Sequence, residues 1–358
     1  MDDDRYLDTP IAFDNGTVTL PSVRVGLAKR QSVFRSSVSF FVLYAVMLLA
    51  VLTLVFLLPR IMPGDPLSSL EDRDNGAYLS DSQLRQRLLT YYGLDQTWLV
   101  QYGHYLKNLA HGNLGWSISR NMPVAKLIGL HLPWTLLLVI ISIILASVVS
   151  FVAGIEAAWR RGQRPDRWAL FTITGIRAVP EYVIATLLLI MFAVVIPIFP
   201  LYGARTPFMS YASSLIEFRD IVYHIFLPVT ALTLSLLGSK FLLVRNTVVS
   251  SLGEDYLLLA RAKGLPERIL KYRHAGRNAL LPFLTVVGIQ AGFAASGSLF
   301  VEAVFAYPGM GTLILKAVEA RDYPVLDASF LVLALVVILM NLMVDLLYGR
   351  LDPRTEAT

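Results

Sequence analysis

The chain offers little for covalent or metal chemistry. It has five histidines and no cysteine in 358 residues, which removes thiolate metal sites, cysteine nucleophiles and a disulfide-stapled secreted scaffold. A serine nucleophile would have to be Ser296 or Ser298 served by His224. Neither serine sits in a G-x-S-x-G turn, and His224 is expected near the start of a different apolar segment, so a hydrolase reading finds no assembled triad. No H-E-x-x-H occurs. Nor is there a G-x-x-x-x-G-K-S/T phosphate loop, the nearest fragment being Gly238-Ser239-Lys240. Any nucleotide must be bound by another chain.

The most deliberately spaced polar residues lie in the segment Gly253-Glu254-Asp255-Tyr256-Leu257-Leu258-Leu259-Ala260-Arg261-Ala262-Lys263-Gly264-Leu265-Pro266-Glu267. Glu254 and Asp255 suit a helix N-terminus, and Lys263 suits the last turn. Gly264 stands where a left-handed residue would end the helix, and Pro266 prevents its resumption. Tyr256, Leu259, Ala260 and Lys263 recur at i, i+3, i+4 and i+7, so one face carries a small apolar ridge suited to docking. A basic stretch follows, with Arg268, Lys271, Arg273, His274 and Arg277, before Leu281-Pro282 opens an apolar run.

The elements that must hold this segment are membrane spans. Only 16% of residues are charged and 55% are hydrophobic, against roughly 25% charged in ordinary globular chains. A span needs roughly 20 apolar residues. Six are predicted: 38–58, 132–155, an interrupted third whose lipid-compatible part is 182–199, 221–244, 279–301 and 328–344. The first is preceded by a long polar arm and reads as an uncleaved anchor, not a secretory signal. The arm, 1–37, reads as disordered or tethering. The segment 59–131 is expected to fold as a small helical cap, with Tyr91, Tyr92, Trp98, Tyr102, Tyr105 and Trp116 spread along it.

Of 31 Lys and Arg, 18 fall on the side holding both termini and the loop 245–278, and 11 on the other, where acidic residues dilute them. The positive-inside rule makes both termini cytoplasmic, and the formal charge of +5 orients the protein without pointing to nucleic acid. Arg177, Glu181 and Lys240 are the few charges within the spans. Glu181 either lines a path or pairs with Arg177, and Lys240 is expected to snorkel. His224 is expected to be a hydrogen-bonded structural residue. Tyr307-Pro308-Gly309 has the order of a type II turn. No inverted repeat of the kind found in secondary transporters is visible, which disfavours a stand-alone carrier.

The segment ending in Arg261-Ala262-Lys263-Gly264-Leu265, followed by Arg273-His274-Ala275-Gly276-Arg277-Asn278-Ala279-Leu280-Leu281-Pro282, resembles the EAA loop of bacterial ABC importer permeases, specifically the first permease subunit of the dipeptide and oligopeptide family. Three further motifs match in order. They are Met62-Pro63-Gly64-Asp65-Pro66; Glu302 to Gly311 with Arg321-Asp322-Tyr323-Pro324; and the end, from Asn341 through Tyr348-Gly349-Arg350-Leu351-Asp352-Pro353-Arg354. The resemblance covers about 38–354. One departure is that Leu257 and Leu258 stand seven and six places before Gly264, where the general pattern has an acid; Glu254 and Asp255 lie further upstream.

The resemblance implies an all-α membrane protein with six transmembrane helices in the type I ABC importer permease fold, and with the helical exterior segment between spans one and two. The implied regions are an arm 1–37, span 38–58, exterior segment 59–131, a permease core 132–349 containing the coupling loop 245–278, and a tail 350–358. It implies a non-enzymatic subunit of the inner membrane that moves di- or oligopeptides, with oligosaccharides, nickel chelates or another solute as the alternative. The implied partners are a second, homologous permease subunit, two ABC ATPase subunits that bind ATP and Mg, an exterior solute-binding protein and membrane lipid. No cofactor is implied in this chain, and a homodimer remains the alternative to a heterodimer. Glu254, Asp255, Tyr256, Leu259, Ala260, Arg261, Ala262, Lys263, Gly264 and Leu265 are then the ATPase-coupling residues. Span five, rich in small residues, is the candidate substrate path or subunit interface, with Gln290, Gly292, Ser296, Gly297 and also Glu181 as its residues.

Overall fold

Apolar runs of membrane length become long helices. In the computed structural model the described residues are 32–61, 86, 87, 89, 90 and 95–351. The motif at 62–66, the arm up to residue 31 and the tail beyond 351 lie outside them. The chain divides into two units at Ala50/Val51. The described part of the first belongs to helix α1 (Ser32–Ile61), which continues through Pro59 into the second. The second holds α2 (Trp98–Ala110), a minimal antiparallel hairpin of β1 (Trp116–Ser117) and β2 (Met122–Pro123), and eight further helices. These are α3 (Val124–Trp159), α4 (Arg164–Arg177), α5 (Glu181–Leu189, continued by a π turn Ile190–Val195), α6 (Ser214–Ser251) and α7 (Asp255–Ala262), then α8 (Gly276–Val304), α9 (Met310–Glu319) and α10 (Tyr323–Leu351). A short lead-in, Glu267–Ile269 with a π stretch Leu270–Ala275, runs straight into α8.

Among the described residues three helices, α3, α6 and α10 as far as Met340, are long and apolar enough to cross a bilayer by themselves. The expected third span is a broken one. Pro180 has no amide to continue the ladder and pushes Val179 out of the helical region, and α4 and α5 meet at 99°. The apolar part is α5 with its π turn, and α4 is a separate amphipathic arm.

The central helix pair is α3 with α6. Ser142, Ala146, Ser150 and Gly154 form a stripe of small buried residues at four-residue spacing on α3. Ser142 and Ser150 donate to the carbonyls of Val229 and Leu237 at 3.4 and 3.0 Å. A Cβ at Gly154 would lie 2.9 Å from Val244 Cβ and 3.1 Å from the Phe241 carbonyl. Small side chains at this spacing let two helices approach backbone to backbone. In the sequence that property stands out on α8 but not on α3, where uniform apolarity hides a pattern of size.

Three apolar clusters follow. The largest joins α3, α5, α6 and α8 through residues such as Leu138, Ile184, Leu232 and Val301. A second seats α9 between the start of α3 and α10, using Val124, Leu127, Met310, Leu313 and Leu326. The third, at the end carrying 245–278, gathers Ile155 and Ala158 of α3, Val244 and Val248 of α6, and Phe283 of α8 around α7.

Candidate functional site: the short helix between two spans

Helix α7 forms where the capping chemistry permits it. Ser251, the last residue of α6, turns its hydroxyl onto the Thr247 carbonyl at 3.0 Å. Glu254 then takes extended dihedrals as N-cap, with Asp255 in the first turn, where the helix dipole favours negative charge. At the other end Gly264 has φ +74°. Its amide donates to the Arg261 carbonyl at 3.0 Å and the Leu265 amide to the Ala260 carbonyl at 3.4 Å. That pair of bonds is a Schellman stop, which needs a left-handed residue at this point. The stop expected from Gly264 and Pro266 is therefore present.

Of the ridge expected from spacing, Tyr256, Leu259 and Lys263 are exposed and Ala260 is not. Leu257 and Ala260 are buried in the third cluster, with Leu265 packed against it. Tyr256, Leu258 and Leu259 are exposed, Leu259 by 58%. Ala260 thus belongs to the seat of the helix and not to its outer ridge. The reason is tertiary: α3, α6 and α8 supply an apolar socket on one side only, and two residues three apart fill it. Asp255, Arg261, Ala262 and Lys263 are exposed beside the ridge, and the Tyr256 hydroxyl accepts a bond from Asn278 Nδ2 at 2.7 Å.

Polar clamps fasten the rest of the segment to α3 and α4. Lys271 Nζ donates to both oxygens of Glu156 at 3.2 and 3.1 Å, and the Tyr272 hydroxyl donates to the same carboxylate at 3.0 Å. Burial first, and then this bond, raises the Tyr272 phenol above its ordinary value. Trp159 Nε1 donates to Glu267 at 3.1 Å, and the Arg261 guanidinium stands 5.7 Å from the Trp159 ring centroid. Arg245 grips Asp166 with Nε at 2.7 Å and a second nitrogen at 2.8 Å, the bidentate geometry that makes arginine pairs directional. Packing thus seats α7 against α3, α6 and α8, and charged contacts tie the flanking segment to α3 and α4.

The other sequence candidates are elsewhere. Gln290 donates through Nε2 to the Ser239 hydroxyl, tying α8 to α6. Glu181, at the start of α5, faces α8, since a Cβ at Gly297 would lie 2.8 Å from its Oε2. Among the described residues Glu181 makes no ion pair with Arg177, whose stem instead lies against Gly238 of α6. The structure thus brings Glu181 and Gly297 together, apart from the pairing considered. Gly292 and Ser296 are in α8, and their side chains lie outside the described residues. Lys240 does not snorkel. It shares the inward face of α6 with Leu236, Leu237, Phe241 and Val244, is fully buried, and its Nζ has no hydrogen-bond partner among the described residues. His224 is buried with Nδ1 2.8 Å from the Asp220 carbonyl, and Ser298 serves Glu302, so neither is arranged for hydrolysis.

One constellation escaped the sequence. The Glu302 carboxylate, fully buried, accepts from the Thr135 hydroxyl at 2.7 Å and from the Gly311 amide at 2.6 Å. Thr135 in turn accepts from the Met310 amide at 2.7 Å. A Cβ at Gly309 would fall 2.3 to 2.5 Å from that carboxylate. The type II turn is not formed: Gly309 is extended at φ −94°, ψ −174°, and the left-handed residue is Ala306. Gly309 is there for closeness to Glu302. In the sequence Glu302 to Gly311 stood only as a motif match, and nothing joined it to Thr135.

A bundle of long apolar helices, with a capped amphipathic helix set between two of them and held from three sides, defines a membrane permease component. Residues 147–357 match the family model described as the binding-protein-dependent transport system inner membrane component, and the chain belongs to that family. It is 35% identical over 315 residues to a protein of Brucella ovis named as a peptide permease, covering 87% of this chain and 96% of the relative. It is also 35% identical over 307 residues to the glutathione transport system permease protein GsiC of Escherichia coli K12, covering 86% and 94%. The family is a transport component of the inner membrane and not a catalytic enzyme.

Proposed function

We propose that this chain forms half of the translocation path of an ATP-driven peptide importer and receives the work of hydrolysis through the outer face of α7. The observation that carries the reading is the division of α7 into a seated face, Leu257 and Ala260, and an exposed apolar face, Tyr256, Leu258 and Leu259. A helix clamped to three spans and apolar on its free side is built to be pushed. The family's dependence on a binding protein supports an exterior solute-binding partner, and the absence of a phosphate loop supports two separate ATPase subunits carrying ATP and Mg. A second, homologous permease subunit completes the path, and α8, which carries Gln290, Gly292, Ser296 and Gly297, is with Glu181 the candidate for meeting substrate or that subunit. The basic bias of 245–278 and both terminal segments supports cytoplasmic termini. The printed names of the relatives, peptide permease and glutathione permease, favour a peptide-like solute over a sugar or a nickel chelate.

Gly264→Asp tests the coupling role. A side chain in the left-handed region costs about 1 to 2 kcal/mol, and an acid at a helix C-terminus opposes the dipole. Uptake of a labelled dipeptide by cells carrying the whole system is expected to fall at least roughly tenfold while membrane levels of the chain persist. Uptake at the wild-type rate would refute the assignment.

A further inference from the structure

The arm α4 leaves one of its faces uncovered. Asp166, Ile176 and Arg177 turn toward the bundle: Asp166 meets Arg245 of α6, Ile176 packs on the largest apolar cluster, and the Arg177 stem lies against Gly238. Arg164, Trp168, Phe171 and Gly175, at i, i+4, i+7 and i+11, hold the opposite face and are exposed. Trp168 is 65% and Phe171 73% exposed, and their rings meet edge to face with centroids 6.2 Å apart. Rings this open are out of place in water and usual at a membrane interface.

The charge beside the rings has one sign. Arg160, Arg161, Arg164 and Arg167 fall within eight residues and are all exposed. Asp166 is the one acid between Glu156 and Glu181, and it is buried and taken up by Arg245 and by the Gly162 amide at 2.9 Å. Arg167 is held to the Gly162 carbonyl by two bonds of 3.1 and 2.9 Å. Arg160 approaches Glu156 only to 3.8 Å, and Arg161 and Arg164 make no ion pair among the described residues. The arm meets α5 at 99°. Since spans tilt by about 20° on average, a helix at that angle to one runs closer to the membrane plane than to its normal. Along the outward face the order is arginine, then Trp168 and Phe171, then Gly175, which suits a helix passing from headgroups toward acyl chains.

We propose that the outward face of α4 lies in the cytoplasmic leaflet and binds the phosphate groups of anionic phospholipids through Arg160, Arg161 and Arg164, with the Trp168 and Phe171 rings set among the acyl chains beside them. Guanidinium groups pair with phosphate oxygens bidentately, and basic residues next to a span or on an amphipathic helix attract anionic headgroups. An acidic protein surface would match the arginines alone, whereas lipid matches the arginines, the rings and the angle of the arm. The leaflet rests on the cytoplasmic assignment of this end, which Leu259→Cys labelling reports separately. Lipid binding itself is measured on the chain without transport, so it stands apart from the coupling role of α7.

The full-length chain in neutral detergent is titrated with dioleoyl phosphatidylglycerol and with dioleoyl phosphatidylcholine, and bound lipid is counted by native mass spectrometry. Phosphatidylglycerol is expected to bind at least roughly tenfold tighter, each basic group that meets a headgroup being worth roughly fivefold. Arg160→Gln, Arg161→Gln and Arg164→Gln combined should bring that preference to within about twofold, with the thermal midpoint nearly unchanged because all three side chains are exposed. The same three positions changed to Lys should keep most of the preference. Arg268→Gln, Arg273→Gln and Arg277→Gln combined remove the same charge at exposed positions elsewhere and should leave it intact. In vesicles of phosphatidylglycerol brominated close to the headgroup, the emission of Trp168, obtained by difference from a Trp168→Phe variant, is expected to be strongly quenched. An unquenched Trp168, equal affinity for the two lipids, or an equal loss of preference in both glutamine variants would overturn the site. So would an unchanged preference in the first variant with its ATPase subunits no longer co-purifying, which would mark the arginines as a protein contact.

Discussion

Glu302 shows how much one side chain can settle in an apolar bundle. Its carboxylate takes bonds from α3 and from the first turn of α9, and Gly309 leaves room for it. Removing it strands the Thr135 hydroxyl and the Gly311 amide in a dry site, at about 1 to 3 kcal/mol for each buried group left unpaired. Glu302→Ala is thus expected to lower the thermal midpoint of the detergent-solubilised chain by several degrees, and Glu302→Gln, which keeps the shape and an acceptor oxygen, by clearly less. Equal midpoints for the two variants would show that the carboxylate's bonds do not hold the turn. The sequence marked Glu302 only as the start of a motif, and the knot itself was not legible because Thr135 lies 167 residues away. Gly264 is the opposite case. Its role as a left-handed stop was legible because the acids before the helix, the glycine after it and Pro266 beyond act through local backbone chemistry.

Among the elements, the apolar runs that became α3, α6 and α10 were legible for the simplest reason, since an uncharged apolar run of membrane length has few alternatives to a helix in lipid. The 99° break between α4 and α5 was foreshadowed by Arg177, Pro180 and Glu181. The burial of Ala260 was not. Spacing alone allowed Ala260 on the outer ridge, and the choice belongs to the socket formed by Ile155, Ala158, Val244, Val248 and Phe283, which no property of α7 encodes. Because the chain has no native cysteine, the two faces can be told apart cleanly. Leu259→Cys is expected to react quickly with a membrane-impermeant maleimide in inside-out vesicles and not in right-side-out ones, while Leu257→Cys stays protected in both. Fast labelling of the Leu257→Cys variant would contradict the seat, and labelling of the Leu259→Cys variant from outside would contradict the proposed orientation.

At the scale of the whole molecule, the observed contacts run from one end of the bundle to the other. The α3 and α6 pair, joined by a stripe of small residues, is the stiff centre. The Arg245 to Asp166 and Lys271 to Glu156 clamps and the apolar seat of α7 connect that centre to one end, and the Glu302 knot and the Arg60 to Asp327 pair close the other. The central claim is that the free face of α7 is where work enters, and Leu259 is its most exposed leucine. The direct measurement is ATP hydrolysis and dipeptide uptake together, in proteoliposomes holding the complete transporter with Leu259→Asp in this chain. Because the side chain is solvent-facing, its replacement should leave the thermal midpoint of the chain nearly unchanged. Uptake and solute-stimulated hydrolysis are predicted to fall together by at least roughly tenfold. Wild-type uptake, with hydrolysis still stimulated by solute, would contradict that claim.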